Sequence, residues 1–452
     1  MPQKTLQLHE RINTRNRIFK IEGIIELMET VWYYFYNLLV IPLLYISIRI
    51  AGIFNKKVQI GIAGRKRIIE DLLLNASLLD KSKKLIWFHS SSLGEFEQAK
   101  PIIQELKKKN NVNILITFFS PSGYENSRKY PYADLVSYIP FDTISNANKL
   151  ISIAKPDLAV IMRYDIWPNH IWAMAKSHIP IFVVDATMKD NSPRTLPFSK
   201  NFHKNLFRII NKFLAVSEND VKGFKEFGVS SDHLHAVGDT RFDRVYQRSI
   251  IAKEKNLIRS DFLTGKKVFV AGSTWEVDED VLLPAFTKLA KYDSDVVMII
   301  APHEPTLVHL ERIENEFTGS LETIRFSSLN NYKNEKIIIV DSIGILLTLY
   351  TYADLAFVGG SFRQGIHNVL EAAVYGIPVM FGPKIDNSQE SQQLLRRGSG
   401  ILIRNKTDAY RQLRLMFSND MLRKAKGKIS SGYVKENLGA TEKILEEIYK
   451  VI

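Results

Sequence analysis

At 452 residues the chain is too long for a single hydrophobic core, and two or three domains are expected. Its 45% hydrophobic and 24% charged residues are ordinary for globular protein, while a net charge of +13 points to an anionic partner: nucleic acid, a membrane surface or a phosphorylated substrate. The absence of cysteine excludes disulfides, thiolate catalysis and Cys-based zinc or iron–sulfur sites.

Residues 1–30 form a polar extension without a motif. Met28 stands just before an apolar run, so residues 1–27 are expected to be dispensable. The anchor segment, residues 31–55, contains Val31–Phe54, which is apolar over 24 residues with Arg49 as its one charge. As a helix it would run about 36 Å, against a hydrocarbon core of about 30 Å. Trp32 and the tyrosines cluster at one end, as an interfacial belt would. Lys56, Lys57, Arg65, Lys66 and Arg67 follow, and this positive-inside bias puts the globular part on the cytoplasmic side. Asn37, Pro42 and Arg49 leave open a helix lying in the interface rather than spanning.

From residue 56 to 249 the pattern is βα. Leu85–Phe88, Asn113–Thr117, Leu158–Met162, Ile179–Val184 and Phe213–Val216 read as strands, separated by helical patterns such as Phe96–Lys107 and Ile166–Ser177. Strands alternating with helices imply a parallel sheet covered on both faces. The loop His89–Glu95 lies between a strand and a helix, so Glu95 stands at the strand's carboxyl end, where a carboxylate can take a proton from a hydroxyl. A first-turn Glu that only stabilises its helix fits the same position.

The pattern lapses around Ile250–Gly265 and resumes at Val268, giving a second domain over residues 250–452 and a cleft between the two. After Val268–Ala271, a loop of Gly272, Ser273 and Thr274 offers backbone and hydroxyls, and the acidic run Glu276–Asp280 suits a helix N-terminus. The strand Val296–Ile300 ends in Ala301, Pro302 and His303. The strand Leu355–Val358 leads into Gly359, Gly360 and Ser361, a helix opening near His367, and the strand Ile377–Phe381. Helical spacing would put His367 and Glu371 on one face, with Glu371 able to hold ribose hydroxyls. Three such loops on one sheet edge point to a nucleotide site, although an ordinary βαβ unit with a surface His and Glu fits the last pattern too.

In this order the motifs resemble those of the Kdo (3-deoxy-D-manno-octulosonic acid) transferases: Tyr36–Leu39, His89–Glu95, Ser120–Gly123, Trp167–Asn169, Gly238–Asp243, Ala271–Thr274 and Gly359–Glu371. The resemblance implies two Rossmann-like domains of the GT-B glycosyltransferase type behind a membrane-anchor helix. It implies CMP-Kdo as donor, bound mainly by the second domain, and a lipid A precursor as acceptor at the inner membrane with its anionic lipid. Nucleic acid, a metal and any further cofactor are not expected. Glu95 matches the family's general base. Gly272, Ser273, Thr274, Ser361, His367 and Asn368 are candidates for the CMP phosphate, Pro302, His303 and Gly360 for substrate or nucleotide binding, Arg241 for a charge partner, and Glu371 for the ribose. Departures stand at Arg163-Tyr164-Asp165, where the family carries Glu-Thr-Glu, at Pro302–Pro305, and at Asp239 and Arg241. Rival readings are a nucleotide-sugar epimerase or uridine-sugar transferase of the same architecture, and a membrane-tethered binding protein.

Overall fold

The computed structural model describes residues 30–188 and 192–452. The extension over residues 1–29 lies outside them.

The first unit holds a seven-stranded sheet of β1 (Leu85–Ser90), β2 (Asn113–Phe118), β3 (Leu135–Tyr138), β4 (Leu158–Met162), β5 (Ile181–Ala186), β6 (Lys212–Ala215) and β7 (Leu234–Ala236). Its order is β3-β2-β1-β4-β5-β6-β7, and every pairing is parallel. Side chains alternate across the sheet, so each central strand feeds two cores. Trp87, Leu115, Ile161 and Val183 pack on one face, while Ile86, Phe88, Ile116 and Val160 pack on the other. This is why β1, β2, β4 and β5 read as unbroken apolar runs without polar alternation. The last helix, Ala440–Tyr449, buries Ile444, Leu445 and Ile448 in the second of these cores.

The second unit repeats the plan with β8 (Lys267–Thr274), β9 (Val296–Pro302), β10 (Thr323–Arg325), β11 (Ile337–Ile339), β12 (Leu355–Val358), β13 (Val379–Phe381) and β14 (Gly400–Leu402). Their order is β10-β11-β9-β8-β12-β13-β14, again parallel throughout. The compact units comprise residues up to Thr240 together with Gly439–Ile452, and Arg241–Leu438. The boundary expected at 249/250 falls inside the helix Thr240–Lys253, where no loop composition breaks the chain.

In each sheet the chain fills one side of a central strand, with β11 inserted between β9 and edge strand β10 in the second, and then crosses to that strand's other side. This creates a topological switch point, between β1 and β4 in the first sheet and between β8 and β12 in the second. A crevice outside the carboxyl ends of the strands opens at such a point, and ligands of open α/β sheets bind there.

The apolar segment forms a helix over Thr30–Phe54, long and apolar enough to cross a membrane, and little of it is buried. Its first turns are docked on the first unit. Trp32 packs edge-on against Phe198 and Phe202. The Tyr36 hydroxyl donates to Asp142 Oδ2 at 2.8 Å, and Asn37 and Asn169 exchange side-chain amide bonds at 3.1 and 2.9 Å. A π-helical turn, Tyr36–Val40, lies within the docked stretch. Beyond it Leu43, Ile46, Ile50 and Ile53 are exposed.

Two local expectations are corrected. No loop separates Val268–Ala271 from Gly272, Ser273 and Thr274: β8 runs on through Thr274, paired with β9 across a register shift between Gly272 and Thr274. Nor does a helix open at His367. Gly365 N–H bonds Gly360 O at 2.8 Å and His367 N–H bonds Gly359 O at 3.1 Å, closing a loop, and the helix there is only Leu370–Ala373. His367 and Glu371 therefore do not share a helix face.

Candidate functional site

The first switch point gathers titratable groups. The β1 strand ends in His89 and Ser90, and the following turn starts the helix Leu93–Lys109. Glu95 lies in its first turn and reaches back to accept the Ser91 N–H at 2.7 Å. That bond supports the helix start, as a purely structural Glu would. Burial nevertheless holds the Glu95 carboxyl above the ordinary range, and the charge of Asp165 adds to the rise; the Ser91 bond and the fields of His89 and Arg163 only partly offset it.

Asp165, just after β4, is pushed the other way. Its burial is outweighed by His89, and its pKa is lowered. His89 is buried, with Nε2 at 2.9 Å from Asp165 Oδ2 and Nδ1 at 2.9 Å from Thr117 Oγ1. The Thr117 oxygen also accepts from the Trp87 indole at 2.8 Å, so Trp87, Thr117, His89 and Asp165 form one connected chain. Between β4 and Asp165, Arg163 holds a left-handed backbone at φ 60°, a strained geometry for a side chain of this size. Two carboxyls with opposed shifts at one strand edge suit one to gain a proton while the other stays charged.

The second switch point is flat and largely uncharged. Trp275 follows β8, His303 follows β9, and His367 lies in the loop after β12. His303 and His367 stack with ring centres 4.4 Å apart, and Trp275 stacks on His303 at 4.7 Å. The Trp275 indole N–H donates to His367 Nε2 at 3.0 Å, which leaves the neutral ring's proton on Nδ1. Burial, then the neighbouring His303, lowers the His367 pKa.

Asp278, in the first turn of the helix Glu276–Ala290, braces these loops. Its Oδ2 accepts from Trp275 N–H at 2.9 Å and Gly360 N–H at 2.8 Å. Burial pushes its carboxyl up to about 6 despite those bonds. Gly360 is at φ 91°, and a Cβ there would lie 2.3 Å from Gly365 O, so only glycine fits. At Gly272 a Cβ would meet the Tyr350 hydroxyl at 2.2 Å.

The remaining candidates divide by what they touch. Ser273 has φ 53°, and Pro302 closes β9 opposite Thr274. Thr274 Oγ1 donates to the buried Glu279 at 2.8 Å, a carboxylate that also meets His309 and Arg312. Ser361 is fully buried and its Oγ accepts the Gly382 N–H at 2.6 Å, bracing the loop. Asn368 Oδ1 accepts the Leu370 N–H at 3.1 Å, opening the short helix. Arg241 pairs with Glu390 at 2.6 Å. Glu371 lies 3.5 Å from Arg248, and its charge reaches Tyr375, whose hydroxyl is pushed up to about 12, first by burial and then by Glu371. Sequence reasoning missed Trp275, Asp278 and Arg248 as members of the site. The acidic run after Thr274 carried a signal for Asp278, but a lone Trp or Arg carries none. Among the described residues no group of three or more His, Asp or Glu side chains is placed to hold a metal.

Two parallel Rossmann-like units, each with polar groups at its switch point, make an α/β fold of the GT-B type. UDP-GlcNAc 2-epimerase from Neisseria meningitidis, solved with UDP-GlcNAc, shares this fold at a TM-score of 0.57 and 16% identity, over 81% of this chain and 100% of that one. Within that class, residues 66–244 match the family described as 3-deoxy-D-manno-octulosonic-acid transferase (kdotransferase), and the chain carries this family's domain. The 3-deoxy-D-manno-octulosonic acid transferase of Rickettsia typhi is 29% identical over 84% of this chain and 82% of its own length. A bifunctional glycosyltransferase/methyltransferase of Fusobacterium nucleatum is 30% identical over 72% of this chain, which spans about half (51%) of that protein.

Proposed function

We propose that the chain transfers Kdo from CMP-Kdo to the 6′-hydroxyl of a lipid A precursor, in lipopolysaccharide core synthesis at the cytoplasmic face of the inner membrane. The observation that carries this reading is the pair of carboxyls with opposed shifts at the first switch point, inside the region matching the Kdo transferase family.

Glu95, whose pKa burial raises, is the general base. Its carboxylate takes the acceptor hydroxyl proton as that oxygen attacks C2 of Kdo; the bond from C2 to the phosphate oxygen breaks and CMP leaves with the electron pair. Attack opposite the leaving group inverts the anomeric centre. Burial, with the charge of Asp165 adding to it, raises the Glu95 pKa and makes it a better base, while Asp165 stays ionised on His89. At the second switch point His367 Nδ1–H donates to the departing phosphate, and backbone N–H groups and hydroxyls of the loops after β8 and β12 complete the stabilisation. Glu371 holds the ribose hydroxyls, with Arg248 orienting it.

The test is a mass measurement on a lipid A precursor incubated with the protein and CMP-Kdo. One or more Kdo units should be added, and their number is read directly. An unmodified acceptor, together with thermal protection by UDP rather than CMP, would replace this reading with a uridine-sugar enzyme.

A further inference from the structure

The apolar helix and the loops at one edge of the first sheet line a half-open cavity of about 590 Å³ outside the two switch points. This lies within the range of about 300–1,000 Å³ common for small-molecule sites. Ile48 and Ala51 form one wall, Val58 and Ile62 of the helix Lys56–Gly64 a second, and Phe119 and Phe141 a third. Its charged lining is of one sign: Arg49, Lys57, Arg65 and Lys66, with no carboxylate.

Arg65 belongs to the wall. It donates to the carbonyl oxygens of Ile139 at 2.9 Å, Gly61 at 2.9 Å and Phe119 at 2.5 Å, and its guanidinium lies 4.7 Å from the Tyr138 ring centre. Burial brings its pKa down to about 10. Arg49, Lys57 and Lys66 remain as the cations that can meet an anion.

The cavity adjoins the candidate base through the backbone. Ser120, on its wall, donates its N–H to Ser91 O at 2.9 Å, and the Ser91 N–H is held by Glu95. Phe119 stacks at 4.9 Å on Trp167, two residues beyond Asp165. The same lining helix also exposes Leu43, Ile46 and Ile50.

We infer that this cavity receives an acyl chain of the phosphorylated lipid acceptor, with Arg49, Lys57 and Lys66 meeting its phosphate. An apolar interior rewards hydrocarbon and a polar sugar gains nothing there. The uncompensated positive charge at the lining selects an anionic headgroup, and the shared backbone sets that headgroup beside Glu95. This inference rests on the reading of a lipid acceptor.

The test uses the full chain and palmitoyl lysophosphatidate below its micelle concentration, titrated by calorimetry, with glycerol 3-phosphate as the headgroup control. Ala51→Trp fills the cavity from an exposed helix position, and Val58→Trp fills it from the next helix. Each should weaken lysophosphatidate binding at least tenfold and raise KM for the lipid acceptor, leaving KM for CMP-Kdo and the melting temperature unchanged. Lys57→Glu should weaken binding of the lysolipid as well. Parental affinity in both tryptophan variants overturns the proposal, as does glycerol 3-phosphate competing as well as the lysolipid. So does a loss confined to vesicle binding, which would mark a membrane-facing surface only. Lysolipid binding that depends on Ala51 without any Kdo transfer would keep the cavity and remove the proposed function; transfer with parental acceptor KM in both tryptophan variants would do the reverse.

Discussion

At the first switch point the side chains are titratable and linked in a chain, Trp87 to Thr117 to His89 to Asp165, with Glu95 at the end of the same strand edge. At the second they are stacked planes, Trp275 on His303 on His367, with one buried carboxyl beneath the loops. The topology is the same in both sheets, so the difference comes from what fills the crevice. In the proposed reaction the first moves a proton and the second holds the nucleotide and its phosphate, so substitutions at the two points should fail in different ways.

The largest difference is expected at Glu95. Glu95→Gln keeps a hydrogen-bond acceptor for Ser91 N–H but cannot take a proton, so kcat should fall by about 10²–10⁴-fold, or roughly 3–5 kcal/mol of barrier. CMP affinity should be unchanged by calorimetry. Near-parental turnover would reduce Glu95 to a helix-supporting residue. The acid limb of the parental pH–rate profile should also lie above the ordinary carboxylate range, since the base must lose its proton and its folded pKa is raised.

Next comes the ribose. Glu371→Ala should weaken CMP binding by about 1.5–3 kcal/mol, the usual cost of removing a charged hydrogen-bond partner, while a slow step limited by Glu95 keeps its pH dependence. Unchanged CMP affinity would refute the assignment.

Asp278 offers a stability test. Its folded pKa, about 6, lies above the value near 3.8 of an unfolded chain, so the folded state holds the extra proton between those limits. Stability from this group is therefore greatest below about pH 4 and declines as pH rises to about 6, by on the order of 1–3 kcal/mol. Asp278→Asn retains an acceptor for Trp275 and Gly360 and should flatten that decline in denaturant titrations. A decline as steep as the parent's would mean that another group titrates there. The smallest effect is expected from exhaustive chelation, which should leave turnover nearly unchanged; a severe loss restored only by magnesium or manganese would require a metal on the donor side.

Much of this comparison was legible before any coordinates. Leu158–Met162, an apolar run bounded by polar residues, matches β4 residue for residue, because a strand covered on both faces shows no alternation to confuse with a helix. The edge strands Leu234–Ala236, Thr323–Arg325 and Gly400–Leu402 escaped, since three residues leave no period to detect. Near His367 the βαβ pattern suggested a helix start, but two loop hydrogen bonds and the left-handed glycines 360 and 365 close a loop there and delay the helix to Leu370. The His303–His367 stack joins residues 64 positions apart, a proximity that only the parallel order β9-β8-β12 creates.

The docked start of the apolar helix has a mechanical consequence. Tyr36 on Asp142 and Asn37 on Asn169 fasten the helix to the body of the first unit within a turn of where its exposed stretch begins. Such a joint acts as a bracket rather than a leash. With the helix in a membrane and a lipid acceptor, as proposed, side-chain geometry sets the height and tilt of the first sheet above the lipid plane. Lengthening a flexible tether usually costs little; cutting this bracket with Asn37→Ala and Tyr36→Phe would let the unit swing and should slow encounter with a membrane-bound acceptor while leaving CMP binding untouched.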